Sequence, residues 1–278
     1  MSTSVTNPAL IPNEVIEHKI TDILQTNLDV RSLFKVDTTL AESAGMKKRI
    51  YKYTYSGSVE KLNKGAKNTT KGSATLVYDD YEVARYQQTF SYNDQDFMID
   101  PNIVDVYANG AAVEMTNELR GEYFTELAKI SNSHETKGAS IYDAVVDAVA
   151  GLEGAGDKDT EGLFIIMGAD TRAAVRKDPL FEASKQGDIL YTGQFGTISG
   201  IPCVFSNKVP AKTAYLTEQN AITLFVKKEG TVEQARDVES KDNTVVYERY
   251  GLVALTDDTR SCIIKVTAAA GAGAGAGA

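Results

Sequence analysis

Four lysines, Lys61, Lys64, Lys67 and Lys71, stand in one short polar stretch of this 278-residue chain. A lysine amine can attack an asparagine carboxamide to give an isopeptide, provided a carboxylate takes the proton and the site is dry. The ordinary alternative is a solubilising, charge-pairing surface. Other chemistry is sparse. Only two histidines occur, His18 and His134, and neither has a partner at metal-ligand spacing. Asp157-Lys-Asp159-Thr-Glu161-Gly162 imitates the start of a calcium loop, but its twelfth position is Gly168, where a bidentate Glu is needed. The glycines Gly151, Gly154 and Gly156 follow a helical segment instead of joining a strand to a helix, so they read as a linker and not as a phosphate cradle. The paired acids Asp79-Asp80 and Asp257-Asp258 lie in strand and turn contexts without a proton partner. No catalytic, cofactor-binding or metal-binding residues are therefore assigned, and the chain is not expected to be an enzyme.

The lysines must be positioned by what flanks them. Ile50-Tyr51-Lys52-Tyr53-Thr54-Tyr55-Ser56 alternates aromatic and polar residues, which is a strand signal with Tyr51, Tyr53 and Tyr55 on one face. A return run from Tyr78 to Tyr92 carries Tyr86, Phe90 and Tyr92 at even spacing. The polar residues between, Ser58 to Val77, make a loop too long to be ordinary inside a compact domain and too polar to fold on itself.

Charge is distributed in blocks. The chain carries a net −9, yet residues 47–71 hold eight cations against Glu60, and residues 78–126 hold eleven acids against Arg85 and Arg120. Such blocks can be solvated faces, or they can be complementary surfaces that meet between copies of the chain, with Glu114, Glu118 and Glu122 among the receiving acids. The overall acidity argues against tight nucleic-acid binding. A composition 42% hydrophobic and 24% charged is that of a globular protein, and no run of eighteen apolar residues is present to span a membrane. The N-terminus lacks the pattern of a secretory signal. Cys203 and Cys262 lie far apart in apolar strand-like settings and read as two buried thiols in a reducing compartment, with a disulfide between them as the lesser reading.

An amphipathic helix is expected after Pro12, with Val15, Ile16, Ile20, Ile23 and Leu24 on one face. A second, longer helix is expected from Asp100-Pro101 to about Ile130, because Val104, Ala108, Ala111, Met115, Leu119, Tyr123 and Leu127 recur at steps of three and four. Gly110 and Gly121 weaken that helix and suggest close packing or a bend. Beyond it, helices at 141–150 and 170–177 and strands at 163–167, 198–205, 221–226 and 232–236 read as an α/β unit. Strands at 244–250, 252–256 and 262–267 close the chain. The Ala-Gly tail reads as a flexible end.

The order of these parts resembles the major capsid protein family of tailed bacteriophages. Two stretches carry the resemblance locally. Tyr191-Thr-Gly193-Gln-Phe-Gly196-Thr-Ile198-Ser-Gly200-Ile201-Pro202-Cys203-Val204-Phe205-Ser206 resembles the family's glycine-punctuated strand, and Val232 to Asp237 followed by Tyr247-Glu-Arg-Tyr250-Gly251-Leu252 resembles its closing strands. The resemblance implies an α+β fold of the tailed-phage major-capsid type. It would comprise an N-terminal arm (1–35), an extended hairpin loop (47–92), a discontinuous peripheral domain with a long spine helix (36–46, 93–130 and 245–267), an axial α/β domain (131–244) and a tail (268–278). It implies self-assembly through pentamers and hexamers into an icosahedral shell around phage double-stranded DNA. Further implied partners are a portal, a separate scaffolding protein and packaged DNA touched non-specifically. The implied location is the virion, after assembly in the host cytoplasm, with no membrane contact. The intersubunit contact would use Tyr51, Tyr53, Tyr55 and the four lysines, with Glu114, Glu118 and Glu122 receiving them. Two other readings stand beside this one: an encapsulin-like nanocompartment shell, and a cytosolic α/β enzyme with residues 57–77 as a lid.

Overall fold

The computed structural model describes residues 15–18, 20, 35–137, 140–154, 161–177 and 197–267. The N-terminal helix lies almost wholly outside them, as do Ile23, Leu24, the calcium-like Asp157 and Asp159, residues 191–196 and the tail. Residues 15–18 and 20 are helical, and of the expected apolar face Ile16 and Ile20 are buried while Val15 is exposed.

A four-stranded sheet has the order β1 (Lys35–Asp37), β10 (Ile222–Arg236), β11 (Asp242–Leu255), β4 (Ala84–Asn93). Its central pair is antiparallel and long, and β10 carries bulges between Val226 and Thr231, so the two strands expected at 221–226 and 232–236 are one irregular strand. Strand β11 likewise runs unbroken through Gly251. Its backbone passes so close to Phe225 that a Cβ at Gly251 would lie 2.9 Å from the Phe225 carbonyl. The second sheet has the order β5 (Ser133–Lys137), β12 (Cys262–Thr267), β9 (Thr213–Glu218), β6 (Leu163–Met167), β8 (Ile201–Phe205), β7 (Thr197–Ile198). Here the expected strand 198–205 turns back on itself. Ser199 and Gly200 both have positive φ (51° and 81°), a two-residue hairpin turn pairing Ile198 with Ile201.

Two boundaries move as a result. The closing strands divide, β11 joining the first sheet and β12 the second, while β10 leaves the expected 131–244 unit to pair with β11. The return run also divides. Residues 73–82 form β3, paired with β2 (Lys47–Ser56), and after Val83 the chain continues as β4 against β11. The hairpin loop proper is therefore 57–72, because Ser73–Val77 are strand.

The long helix is α2 (Ile103–Leu127), preceded by a short α1 (Asp94–Ile99) that the sequence reading did not separate. Asp100 does not cap α2 as expected. It ends α1, and its carboxylate accepts from the Asn102 amide at 2.9 Å. All seven residues of the expected apolar face of α2 are buried, and all but Ala111 belong to one core with Tyr86, Phe90 and Tyr92 of β4 and Tyr247 and Val253 of β11. Helices α3 (Ile141–Gly154) and α4 (Ala169–Arg176) belong to a second core with the six-stranded sheet. Ser140 caps α3 as expected, but the helix passes Gly151.

The turn from β4 into α1 is held by a buried polar knot. Asn93 caps α1 and donates to Ser240 and Asp242, while the buried Asp94 accepts from Asn243 at 2.7 Å and pairs with Arg236. Replacing Asp94 with alanine would remove the acceptor of the buried Asn243 amide and the carboxylate beside the partly exposed Arg236. Chemical denaturation of Asp94→Ala is expected to show a loss of about 3 kcal/mol.

Candidate functional site

Strands β2 and β3 form a ribbon that belongs to neither large sheet. Their register places Tyr51 opposite Tyr78, Tyr53 opposite Leu76 and Tyr55 opposite Ala74. One face of the ribbon is thus lined by Tyr51, Tyr53, Tyr55, Leu76 and Tyr78, and its tyrosines are 50–73% exposed. Leu76 and Tyr78 were missed as part of this face, although the alternation Ala74, Leu76, Tyr78 carried the signal. Nearer the base, on the same face, cross-strand ion pairs take over: Arg49 with Asp80 at 2.6 Å and Lys47 with Glu82 at 2.7 Å, while Lys52 meets Asp79 at 3.3 Å. These pairs hold the Asp80 and Glu82 carboxyls below their ordinary values. Three cations of the basic block are therefore partnered by three acids of the acidic block inside one chain.

The ribbon's base is fixed. Ile50 and Val83 pack with Leu40, Phe225, Leu252 and Ala254, and the Val83 amide donates to the Met46 carbonyl at 2.8 Å. The Tyr81 hydroxyl donates to the buried Glu126 at 3.1 Å, and Lys129 both pairs with Glu126 and sits over the Tyr81 ring. At the other end, Lys61, Lys64, Lys67 and Lys71 are exposed in the 57–72 loop, where Glu60 accepts from the Thr69 amide at 3.0 Å. All four stand in water, so this chain alone gives none of them the dry setting an isopeptide needs.

Strand β4 runs on from the ribbon along α2, from the helix's C-terminal end toward its N-terminal end. Tyr86 bonds Glu122, Gln88 donates to Glu114 at 2.6 Å, Phe90 stacks on Tyr107 and Tyr92 lies beside Phe97. Glu114, Glu118, Glu122 and Glu126 follow at i, i+4 steps, an arrangement of like charges that destabilises a helix by itself. Here Glu114, Glu122 and Glu126 accept hydrogen bonds from β3 and β4. A cleft of about 270 Å³ opens between Tyr81, Tyr86, Glu122 and Glu126. Burial raises the Glu122 carboxyl above its ordinary value; the Tyr86 hydroxyl opposes this, and Glu118 and Glu126 add to it. The structure thus places the sequence-predicted tyrosines and lysines together on one ribbon and the three glutamates on another element, with two of those glutamates already engaged in their own chain.

A third surface was not anticipated. Met98, Ile99, Val106 and Val113 are exposed at the start of the long helix. Val106, Gly110 and Val113 follow a 4-3 spacing, which is one stripe of α2, whereas Met98 and Ile99 belong to α1 and Ile103 packs against the core. Among the described residues a Cβ at Gly110 or at Gly121 would meet nothing within 4 Å, so neither glycine serves close packing there, and α2 continues through both. Among the described residues no group of three or more His, Cys, Asp or Glu could hold a metal, and no helix is long and apolar enough to cross a membrane. His134 lies in β5, and His18 is exposed on the N-terminal helical residues.

Comparison with known proteins places this geometry. A family model described as phage capsid protein matches residues 78–266, from within β3 to the end of β12. The major capsid protein of Staphylococcus phage phiMR11 is 23% identical over 270 residues, covering 92% of this chain and 94% of that one. The capsid of a native GTA particle superposes with a TM-score of 0.67 at 13% identity, over 96% of this chain and 95% of that one. The mature capsid of bacteriophage PhiM1 gives 0.66 at 10% identity, over 96% and 91%.

Two stability measurements on the unassembled subunit follow from the helix. Gly110→Ala removes a helix-weakening residue where the chain offers open space, and is expected to stabilise the subunit by about 1 kcal/mol in denaturant titration. Glu122 has a folded-state pKa above its unfolded one, so its contribution is fully present below about pH 4.5 and is lost as pH rises through the raised value. Glu122→Gln keeps an acceptor for Tyr86 without the charge. Its melting temperature should exceed the wild type's at pH 7.5, and the gain should shrink as the pH falls toward 4.

Proposed function

The chain belongs to the phage capsid protein family, and on that premise we propose that it closes into an icosahedral shell around phage double-stranded DNA, with the β2–β3 ribbon as its main intersubunit contact. As a member of that family it is a structural shell protein with the tailed-phage capsid fold and not an enzyme. The alternatives of an enzyme-enclosing compartment and of a lid-bearing enzyme are not favoured by the relatives it matches.

The observation that carries the contact is the ribbon's exposed aromatic face. Two strands alone are marginal in water, and this pair has no third layer above Tyr51, Tyr53 and Tyr55. In our reading those tyrosines lie on a neighbouring copy, the loop lysines Lys61, Lys64, Lys67 and Lys71 steer them there, and the acids of residues 78–126, Glu114, Glu118 and Glu122 included, provide the attracting potential. Exposed pairs are worth only ~0–1 kcal/mol each, so the charges set direction and register while apolar area holds the contact. The peripheral domain would consist of residues 36–46, 84–130 and 222–255 and the axial domain of the six-stranded sheet with α3 and α4. Pentamers and hexamers, a portal, a separate scaffolding protein, non-specific contact with packaged DNA, and assembly in the host cytoplasm complete the proposal.

Negative-stain microscopy and light scattering of purified protein should show closed shells, alone or with scaffold. A subunit that stays monomeric under both conditions would overturn the proposal. The quadruple variant Lys61→Glu, Lys64→Glu, Lys67→Glu and Lys71→Glu should keep the wild-type circular dichroism spectrum yet yield few or aberrant shells. Normal shells from it would remove the steering role of the lysines.

A further inference from the structure

We infer that the end of the six-stranded sheet carrying Arg172, Arg176, Lys177, Lys208 and Lys212 is a phosphate-backbone contact, turned inward onto the double-stranded DNA that the shell encloses. This rests on the shell-forming role proposed above, in which packaged DNA has no residues assigned to it, and it gives the axial domain an inner face.

The chain is acidic overall, yet residues 163–177 and 197–213 hold five cations against Asp170 alone. The fold brings these two stretches to one place. Met167 closes β6, and it pairs with Phe205 at the end of β8 and with Ala214 near the start of β9. Helix α4 begins directly after it, and the 206–212 loop crosses that start. The Ser206 amide donates to the Met167 carbonyl at 3.1 Å, and the Thr171 hydroxyl donates to the Thr213 carbonyl at 3.1 Å. A Cβ at Gly168 would lie 3.0 Å from the Val209 carbonyl, so loop and helix start are in close contact. At eight residues α4 is only about 12 Å long, which keeps Arg176 and Lys177 at the same end of the sheet.

These cations are held differently from others in the fold. Lys47, Arg49, Lys52, Lys129, Arg236 and Arg260 each meet a carboxylate of their own chain. Among the described residues Lys177, Lys208 and Lys212 make no ion pair, and all three are exposed. Arg172 and Arg176 are neighbours on one side of α4, about 6 Å apart along its axis, comparable to two steps of a DNA strand at ~3.4 Å each. The Arg172 guanidinium lies 5.5 Å from the ring of the exposed Phe205, a stacking that keeps its charge at the surface. Lys212 has a φ of 57°, a backbone that glycine or asparagine adopts with less strain. What a lysine adds there is its amine.

A duplex is the partner this surface fits. Two guanidinium forks and separate ammonium groups suit phosphates, which carry no sequence information by themselves. A protein–protein contact needs an apolar centre, and among the described residues of these two stretches Phe205 is the one large apolar side chain exposed. The net −9 of the whole chain keeps the DNA contact weak and salt-sensitive.

Lysine acylation of shells tests the assignment. With a reagent small enough to enter, followed by peptide mass spectrometry, Lys208 and Lys212 should be labelled in empty shells and at least tenfold less in DNA-filled ones. Equal labelling in both would overturn the inference. Protection in both, with reaction restored in dissociated subunits, would assign the patch to a contact between copies and overturn it as well. A variant of the unassembled subunit gives an independent reading. Arg176→Ala, Lys208→Ala and Lys212→Asn together replace three exposed side chains, so the circular dichroism spectrum should match wild type. Affinity for a short duplex at low salt should fall at least tenfold, and the slope of log affinity against log salt should shrink by about 3. Affinity equal to wild type, or a wild-type subunit that binds no duplex at low salt, would overturn the inference. Wild-type protein that forms no shells would refute the shell-forming role itself, whereas shells whose Lys208 and Lys212 ignore DNA filling would refute this contact alone.

Discussion

A ribbon of two strands has two faces and no interior. Everything unusual about this chain follows from that constraint at residues 47–82. The ribbon's own chain covers only its root, where Ile50 and Val83 meet Leu40, Phe225, Leu252 and Ala254. The aromatic remainder stays in water. A tyrosine carries ~150–250 Å² of surface, so covering half of four such rings removes roughly 400 Å² from water, on the order of 10 kcal/mol gross at ~25 cal/mol per Å² before ordering costs. Surface ion pairs at ~0–1 kcal/mol each do not compete with that figure. Covering the tyrosine face dominates; charge chooses where it goes.

In the proposed assembly the rest of the fold carries the ribbon. The strand that leaves it changes partners at Val83, from β2 to β11, without leaving the extended conformation. It then lies along the long helix through Tyr86–Glu122, Gln88–Glu114 and Phe90–Tyr107, so that movement of the ribbon's root is tied to movement of the helix. The glutamate stripe would repel itself on an isolated helix. Tyr81, Tyr86, Gln88 and Lys129 bond three of its four members, and burial, with Glu118 and Glu126 adding to it, raises the affinity of Glu122 for its proton. The two large cores lie elsewhere, one under the long helix and one around α3 and α4.

Much of this was legible in the residues. Every residue assigned to the core face of α2 is buried, because a 3.6-residue period leaves a clear trace in apolar spacing, while the buried Ala112, Thr116, Phe124 and Glu126 beside them were missed. Strand β6, the Ser140 cap and the end strand β12 were equally plain. What misled was local ambiguity. Ser73–Val77 looked like loop because an exposed strand that waits for a partner need not be apolar on both faces. Gly200 looked like a kink and is half of a hairpin turn, since positive φ is invisible until the backbone is traced. The β5, β9 and β1 strands were overlooked: β5 and β1 are short and flanked by polar residues, and β9 (Thr213–Glu218) is buried yet half polar in composition.

By itself, the sequence determined the ingredients: an alternating tyrosine strand, a lysine-rich loop, a long apolar-striped helix, opposite charge in adjacent blocks, and an order of parts resembling one family. These properties live in neighbouring residues and in periodicity, so they survive without coordinates. Only the tertiary structure decided which charges were already spent. Lys47, Arg49 and Lys52 meet Glu82, Asp80 and Asp79 within the ribbon, and Glu114 and Glu122 are held by β4, because register brings together residues that lie some thirty positions apart in the chain. It alone showed that Gly110 has open space around it among the described residues and that the ribbon's root and the exposed Val106 lie toward opposite ends of the long helix. Solvent exposure and direction belong to the folded surface, and no local pattern encodes them.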